Sequence, residues 1–333
     1  MKNVSIVIPR GHFSLVNIEG TYQIFSWVNG WLVSQGKPPY FKLQLVGLSK
    51  PAQQSTGLYE IHPEKLIEEV NSTDLIVIPA IHGDFDEVIE ANADFMPWII
   101  KNYKRGSEVA SLCIGCFFLA ATGLLDGKQC ATHWQFANEF RKRFPQSLMV
   151  DDKIITDSDG LYTSGGAFSF TNLLIYLIEK YLGREVAVMA AKSFMIDIDR
   201  ESQSHFILFT GQKEHHDEEI LKAQKYIEKN FMERITVDEL AQMFGVGRRS
   251  LERRFKNATS NTVVEYIQRV KMEAAKQELE KGRKTVNEVM YDVGYSDSKA
   301  FRGVFKKITG LSPIQYRDKY ALSRIKRTLM QDS

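Results

Sequence analysis

The 333-residue sequence holds only three cysteines, an odd number that argues against a disulfide framework and fits reduced thiols. It has no apolar run of about 18 residues, and its start has no basic stretch leading into a cleavable apolar segment. These absences lead to the expectation of a cytoplasmic protein without membrane contact. Two thiol chemistries also lack their usual companions. Cys113 and Cys116 form a C-x-x-C pair, but no Trp precedes it and Ile114-Gly115 stands where a thioredoxin-like site has Gly-Pro. No His follows Cys113 directly, and the loop Thr163-Ser-Gly-Gly-Ala167 contains no His-x-Glu pair. Adjacent His215 and His216 cannot both face one ion from a helix, so no metal and no other cofactor is expected.

What is present is divided unevenly. The formal charge is +2, yet residues 1–212 carry 18 Lys+Arg against 23 Asp+Glu, whereas residues 213–333 carry 25 against 18. An acidic part followed by a basic third suits a polyanion-binding module attached to a different domain. The length alone suggests two or three domains.

The first 200 residues alternate short apolar strands with helical periodicity. Strands are read at Val4–Ile8, Phe41–Leu48, Asp74–Pro79 and Glu108–Leu112, and helices over Leu15–Gln35, Pro63–Val70 and Phe85–Tyr103. Apolar strands separated by helices imply a doubly wound parallel sheet, whose ligands bind beyond the carboxyl ends of its strands. Leu112-Cys-Ile-Gly-Cys116 follows the fourth strand and leads into an apolar helix ending near Gly123. A small nucleophile at a strand tip before Gly and a helix is a nucleophile-elbow pattern, and the helix start is expected to lower the Cys113 pKa. With the partner residues missing, Cys113 reads better as a small residue at a tight turn than as a catalytic nucleophile. His133 is the one nearby candidate base and also suits a structural hydrogen bond; Cys130 is expected in a buried strand.

The run Val109–Trp134, with Tyr162-Thr-Ser-Gly-Gly166 and the helix to Tyr181, resembles the class I glutamine amidotransferase-like (ThiJ/PfpI) domain of certain transcription regulators. The resemblance covers residues 3–196 and implies a flavodoxin-like α/β domain that senses an effector and dimerises without catalysing a reaction. Enzymatic relatives carry an acid on the first helix, where this chain has Asn17, with Glu19 two residues on. The resemblance therefore implies an effector site near Asn17, Cys113, Gly115, His133, Gly165 and Gly166.

The C-terminal third repeats itself. Thr236-Val-Asp-Glu-Leu240 and Gly245 return 49 positions on as Thr285-Val-Asn-Glu-Val289 and Gly294; Leu251, Phe255, Lys256, Thr259 and Tyr266 return 50 on as Phe301, Phe305, Lys306, Thr309 and Tyr316. Two copies make a tandem module. Each reads as a helix-turn-helix, the second with an apolar stripe of Ala300, Phe301, Val304, Phe305 and Ile308. A connecting helix over Thr262–Glu280 is expected to set the two readers apart along one side of a duplex. With the closing Gly310-Leu-Ser-Pro-Ile-Gln-Tyr-Arg317, residues 218–320 resemble the AraC-type DNA-binding domain. By position, the resemblance assigns base contacts to Arg249, Glu252, Arg253, Ser298, Lys299 and Arg302. Arg248, Arg254, Lys256, Lys306 and Lys307 are assigned to phosphate contact or to solvation.

The expected organisation is an α/β doubly wound domain over 1–197, a polar linker over 198–217, an all-α domain with two helix-turn-helix units over 218–320, and a tail over 321–333. The expected function is an effector-controlled transcription regulator, an activator by resemblance, working as a homodimer on double-stranded promoter DNA with RNA polymerase. The alternative is a cysteine amidase or hydrolase fused to a DNA-binding module.

Overall fold

A computed structural model of the chain describes residues 1–50, 60–198 and 202–321, with the backbone of Gln53–Gln54. The chain divides into two compact units, Met1–Gln203 and Ser204–Ser333.

The first unit is built on seven strands: β1 Lys2–Val7, β2 Phe41–Gly47, β3 Lys65–Leu66, β4 Leu75–Ile78, β5 Glu108–Ser111, β6 Ile155–Ser158 and β7 Leu161–Ser164. Their order across the sheet is β6-β7-β5-β4-β1-β2-β3. Only the edge pair β6–β7 is antiparallel; the other neighbours run parallel. All four residues of β4, Leu-Ile-Val-Ile, are buried, as both covered faces require. On one face lie α1 Leu15–Ser34, α6 Phe170–Leu182 and α7 Arg184–Ser193. On the other lie α2 Phe85–Ala91, α3 Phe95–Lys104, α4 Cys116–Ala121 and α5 Ala137–Arg143. Helix α1 buries Ile18, Thr21, Phe25, Val28 and Leu32, spaced by three or four residues.

Two sequence expectations are corrected in this unit. Residues 63–70 form no helix: Lys65 and Leu66 pair with Val46 and Gly47 as the sheet edge, and one 3₁₀ turn, Ile67–Glu69, follows. A segment this short gains little from helical hydrogen bonds, so edge pairing wins. The helix expected over 85–103 is broken in two, because Asn92 turns its side chain to both the N–H and the carbonyl of Arg10.

At the amino ends of the strands, Glu108 is part-buried and accepts from Lys2 (2.8 Å), Tyr181 (2.6 Å) and Tyr162. Lys180 sits beside it and also reaches Tyr162. Burial favours the neutral acid, but the three donors overcome it and hold the carboxyl down at about 2.

The second unit consists of α8 Glu218–Asn230, α9 Val237–Met243, α10 Arg248–Thr259, α11 Val263–Lys281, α12 Val286–Asp292, α13 Ser298–Thr309 and α14 Pro313–Tyr320. It has two cores. The first joins Ile220, Ala223 and Ile227 to Leu240, Leu251, Phe255, Val263, Tyr266 and Ile267. The second joins Met272, Ala275 and Leu279 to Val286, Val289, Met290, Phe301, Phe305 and Tyr316. Helix α11 thus closes the first bundle with its leading half and opens the second with its trailing half.

The repeat extends to hydrogen bonds. Thr236–Glu239 and Thr285–Glu288 are capping boxes, as are Thr262–Glu265 and Ser312–Gln315. Thr259 and Thr309 each bond back to the carbonyl four residues earlier. Ser260 and Gly310 take the left-handed conformation that ends α10 and α13. Within α13, Phe301 and Phe305 are buried, but Ala300 is exposed, correcting the expected stripe. The expected linker is also more structured than its polarity suggests. Gln203 is buried in the first unit, while Phe209 meets the Tyr266 ring edge-to-face and gives its N–H to Glu273 in the second. Of the expected tail, all but Ala321 lies outside the described residues.

Glu108 yields a pH prediction. Its pKa is depressed on folding from 4.5 to about 2, so its stabilisation is complete above 4.5 and is lost as pH falls toward 2. Glu108→Gln is expected to cost on the order of 2–3 kcal/mol at neutral pH and to flatten the decline of stability between about pH 5 and pH 3. Urea unfolding followed by tryptophan fluorescence checks it, since all four Trp lie in residues 1–203. Parallel pH profiles for wild type and variant would refute it.

Candidate functional site

Leu112 leaves β5 and the chain turns sharply at Cys113, whose φ of 54° is left-handed. That conformation disfavours residues with a Cβ, and here it is held by neighbours on both sides. The Cys113 N–H donates to Ser164 Oγ at 3.1 Å, and its carbonyl accepts from Thr132 Oγ1 at 3.1 Å. Gly115 follows where only glycine fits: a Cβ would lie 2.5 Å from the Pro79 carbonyl oxygen and 2.9 Å from that of Ile78. Next to Pro79, Ala80 donates its N–H to Asn17 Oδ1 at 3.0 Å. The structure therefore gathers Asn17, Cys113, Gly115, the Thr132–His133 segment and the Ser164–Gly166 loop at the carboxyl ends of β4, β5 and β7.

The chemistry of this cluster differs from the sequence expectation. Cys113 is only 6% exposed, and burial pushes its thiol up to about 11, against one opposing backbone donor, Ile114. The expected acidification at a helix start fails because a 3₁₀ turn intervenes and α4 has six residues. His133 uses Nδ1 to accept from the Gln135 N–H at 3.2 Å and packs near Trp134 and Phe136. No hydrogen bond joins it to Cys113 among the described residues, and burial lowers its pKa. Cys116 is fully buried against Cys130, and burial lifts its thiol further from ionisation. Asn17 ties the first helix to the strand ends in place of an acid.

Two features escape sequence reading. Gln203, 2% exposed, lays its carboxamide against the 163–166 loop, with Nε2 2.4 Å from where a Cβ of residue 165 would be. Nε2 donates to the carbonyls of Thr132 (3.1 Å) and Lys153 (3.3 Å), while Oε1 has no partner among the described residues. Nothing in a polar stretch 38 residues beyond Gly165 signals this. His12 and His82 face each other across a two-stranded ribbon that packs against the Cys113 turn. Burial lowers the His82 pKa, and His12 adds to the shift. Their distance in sequence hides the pair.

In the second unit, the basic side chains of α10 differ in what they hold. Arg254 grips Asp217 through two hydrogen bonds, correcting its reading as a solvated or phosphate-contacting residue. Lys256 caps the Ser260 carbonyl at 2.9 Å. Arg248 bridges Asp238 (3.0 Å) and Glu252 (3.3 Å), so two of the expected DNA contacts are paired to each other. Arg249 and Arg253 are exposed and make no hydrogen bond or ion pair with the described residues. The same holds for Lys299, Arg302, Lys306 and Lys307 of α13, where Ser298 is half-buried and Gly303 opens onto empty space. Unpaired cations on one helix of each bundle can meet an anionic partner without first breaking internal bonds.

Gly115→Ala is expected to destabilise the first unit by about 1–3 kcal/mol, the usual range for overpacking, because the added carbon meets backbone rather than a movable side chain. Thermal unfolding followed by tryptophan fluorescence reads the loss; an unchanged midpoint would show that the strand ends give way freely.

Residues 33–180 match the DJ-1/PfpI family, and residues 240–319 match a helix-turn-helix domain. The chain is 27% identical over 235 residues to the HTH-type transcriptional regulator ArgR of Pseudomonas aeruginosa, covering 70% of this chain and 71% of that protein. It is 24% identical over 265 residues to the HTH-type transcriptional regulator GbdR of the same species, covering 78% and 70%. Its fold resembles a solved structure from Vibrio parahaemolyticus assigned as a transcriptional regulator, with a TM-score of 0.52, 19% identity and coverage of 59% and 99%. No described helix is long and apolar enough to cross a membrane. The chain is a DNA-binding transcription regulator in which a DJ-1/PfpI domain of flavodoxin-like fold precedes an AraC-type helix-turn-helix domain.

Proposed function

We propose that the chain is an effector-controlled activator that reads promoter DNA through α10 and α13 and has no enzymatic activity of its own. The observation that carries the non-catalytic reading is the buried Cys113 thiol, raised to about 11 and without a hydrogen-bonded base. A nucleophilic cysteine needs a thiolate, which requires an adjacent cation or base. The small effector occupies the strand ends around Asn17, Cys113, Gly115, His133, Gly165 and Gly166. The His12–His82 pair and Gln203 Oε1, which has no partner among the described residues, add polar groups to that environment. The protein works in the cytoplasm as a homodimer and engages RNA polymerase.

On DNA, Arg249 and Arg253 read base edges from α10, with Glu252 positioned by Arg248. Ser298, Lys299 and Arg302 read from α13, and Lys306 meets phosphate. The gap at Gly303 makes α13 the less discriminating reader, and α10 supplies most of the specificity.

Two experiments test this. Cys113→Ala is expected to keep a promoter response, shifted at most in the effector concentration it needs, with no amide hydrolysis by wild type; hydrolysis that disappears with Cys113 would establish the enzyme reading instead. Arg253→Ala is expected to weaken binding to a selected DNA fragment by about 1–3 kcal/mol with little effect on folding. Arg254→Ala is expected to lower the thermal midpoint by releasing Asp217, without selective loss on that fragment. Equal losses for Arg253→Ala on selected and random DNA would reduce Arg253 to a phosphate contact.

A further inference from the structure

The two turns of the tandem module are equivalent in sequence but not in surroundings. Gly245 and Gly294 stand 49 residues apart and both have left-handed φ, 63° and 75°. A Cβ on Gly245 would meet nothing within 4 Å. On Gly294 it would lie 2.0 Å from the Met232 carbonyl oxygen and 2.7 Å from Lys271 Nζ. The second turn is therefore pressed against the chain leaving α8 in the first bundle, and Lys271 is wedged beside both.

Lys271 lies on α11 between Ile267, which belongs to the first core, and Met272, which belongs to the second. It is 7% exposed, and its ammonium has no carboxylate partner among the described residues. Its Nζ donates to the carbonyls of Val293 (3.0 Å) and Gly294 (3.4 Å) in the second turn, and of Glu233 (3.4 Å) beyond α8. The Tyr295 ring lies 5.6 Å away. Val293 ends α12, so its carbonyl is one that the helix leaves without an internal partner. An apolar side chain here would leave these acceptors unsatisfied, whereas an ammonium with three donors joins pieces of both bundles at one point.

We propose that Lys271 is the positioning residue that fixes the second helix-turn-helix relative to the first, and so sets the spacing at which the chain accepts its two DNA half-sites. Apolar packing between the bundles is non-directional and tolerates sliding; hydrogen bonds from one buried group to three main-chain carbonyls do not. Lys271 touches no DNA in this scheme. Its effect passes through Val293 and Gly294 to the start of α13. The inference rests on both α10 and α13 reading DNA, and its test separates the two claims.

The test uses the full chain and a duplex selected from genomic fragments by the wild-type protein, with the two half-sites located by footprinting. Binding is measured on the native duplex, on one with two base pairs inserted between the half-sites, and on a single half-site. Wild type is expected to lose twentyfold or more on insertion. Lys271→Met, which keeps the length and removes the donors, is expected to lose under threefold on insertion and to bind the native duplex only as tightly as the half-site. Lys271→Arg is expected to restore the spacing penalty. Without DNA, spin labels at Asn257 and Lys307 are expected to give one narrow distance in wild type and a broadened distribution in Lys271→Met. Gly294→Ala approaches the same contact from the turn and should broaden it likewise. An unchanged distribution with the wild-type spacing penalty would overturn the proposal. So would uniform loss on all three duplexes, which marks a residue needed only for folding. A broadened distribution in the variant, with wild type indifferent to spacing, would uphold the clamp and refute the two-reader assignment.

Discussion

Nζ of Lys271 and Sγ of Cys113 are both removed from water, and the partners each finds determine how its unit works. Lys271 has three carbonyl acceptors within 3.4 Å and can keep its proton while buried. Cys113 has one backbone donor to set against burial, so its thiol stays neutral. Desolvation disfavours the charged form of each group, so burial lowers the pKa of Lys271 and raises that of Cys113. Glu108 shows the same balance on the acid side, where three donors outweigh burial and keep a carboxylate ionised among the strand ends.

The first unit retains an enzyme-like scaffold around a neutral thiol. The left-handed turn at Cys113 and the backbone contact of Gly115 with Pro79 are geometric requirements of a strand-tip elbow, and both are kept. The requirements of thiolate chemistry are not. Asn17 holds the first helix to Ala80 with an amide, and His133 caps its own 3₁₀ turn. Hydrogen bonds instead run outward from the elbow: the Cys113 carbonyl to the Thr132 hydroxyl, and the Thr132 carbonyl to the Gln203 carboxamide. Gln203 is the last residue of this unit, and Ser204 the first of the next. The chain that leaves the first unit is thus hydrogen-bonded to the loops around its candidate site.

Local pattern made much of this legible in the sequence. Continuous apolar runs such as Leu75–Ile78 mark buried parallel strands, and the repeat from Thr236 to Tyr316 marks paired helix-turn-helix units, to which the structure adds the matching capping boxes. The failures share a cause, which is contact between segments far apart in the chain. Residues 63–70 took up edge pairing with β2, and Asn92 broke a helix to bind Arg10. Gln203, the His12–His82 pair and the Arg254–Asp217 grip arise only when distant segments meet. The Cys113 pKa had the wrong sign because elbow spacing indicates a helix start but says nothing of burial.

The duplicated module shows why equivalent sequence does not impose equivalent roles. Both copies keep the caps, the buried aromatic pair positions and the left-handed helix ends, because each bundle needs them to close. What differs lies where the copies meet. The first turn faces open space at Gly245, while the second is packed against Met232 and Lys271 at Gly294. A lysine in the middle of α11 has no second helix boundary to satisfy unless another bundle follows it. The junction contacts therefore belong to the tandem arrangement itself and not to either helix-turn-helix alone. A rigid junction lets two short helices act as one reader, because the relative placement of α10 and α13 is then fixed before any DNA is met and need not be ordered on binding.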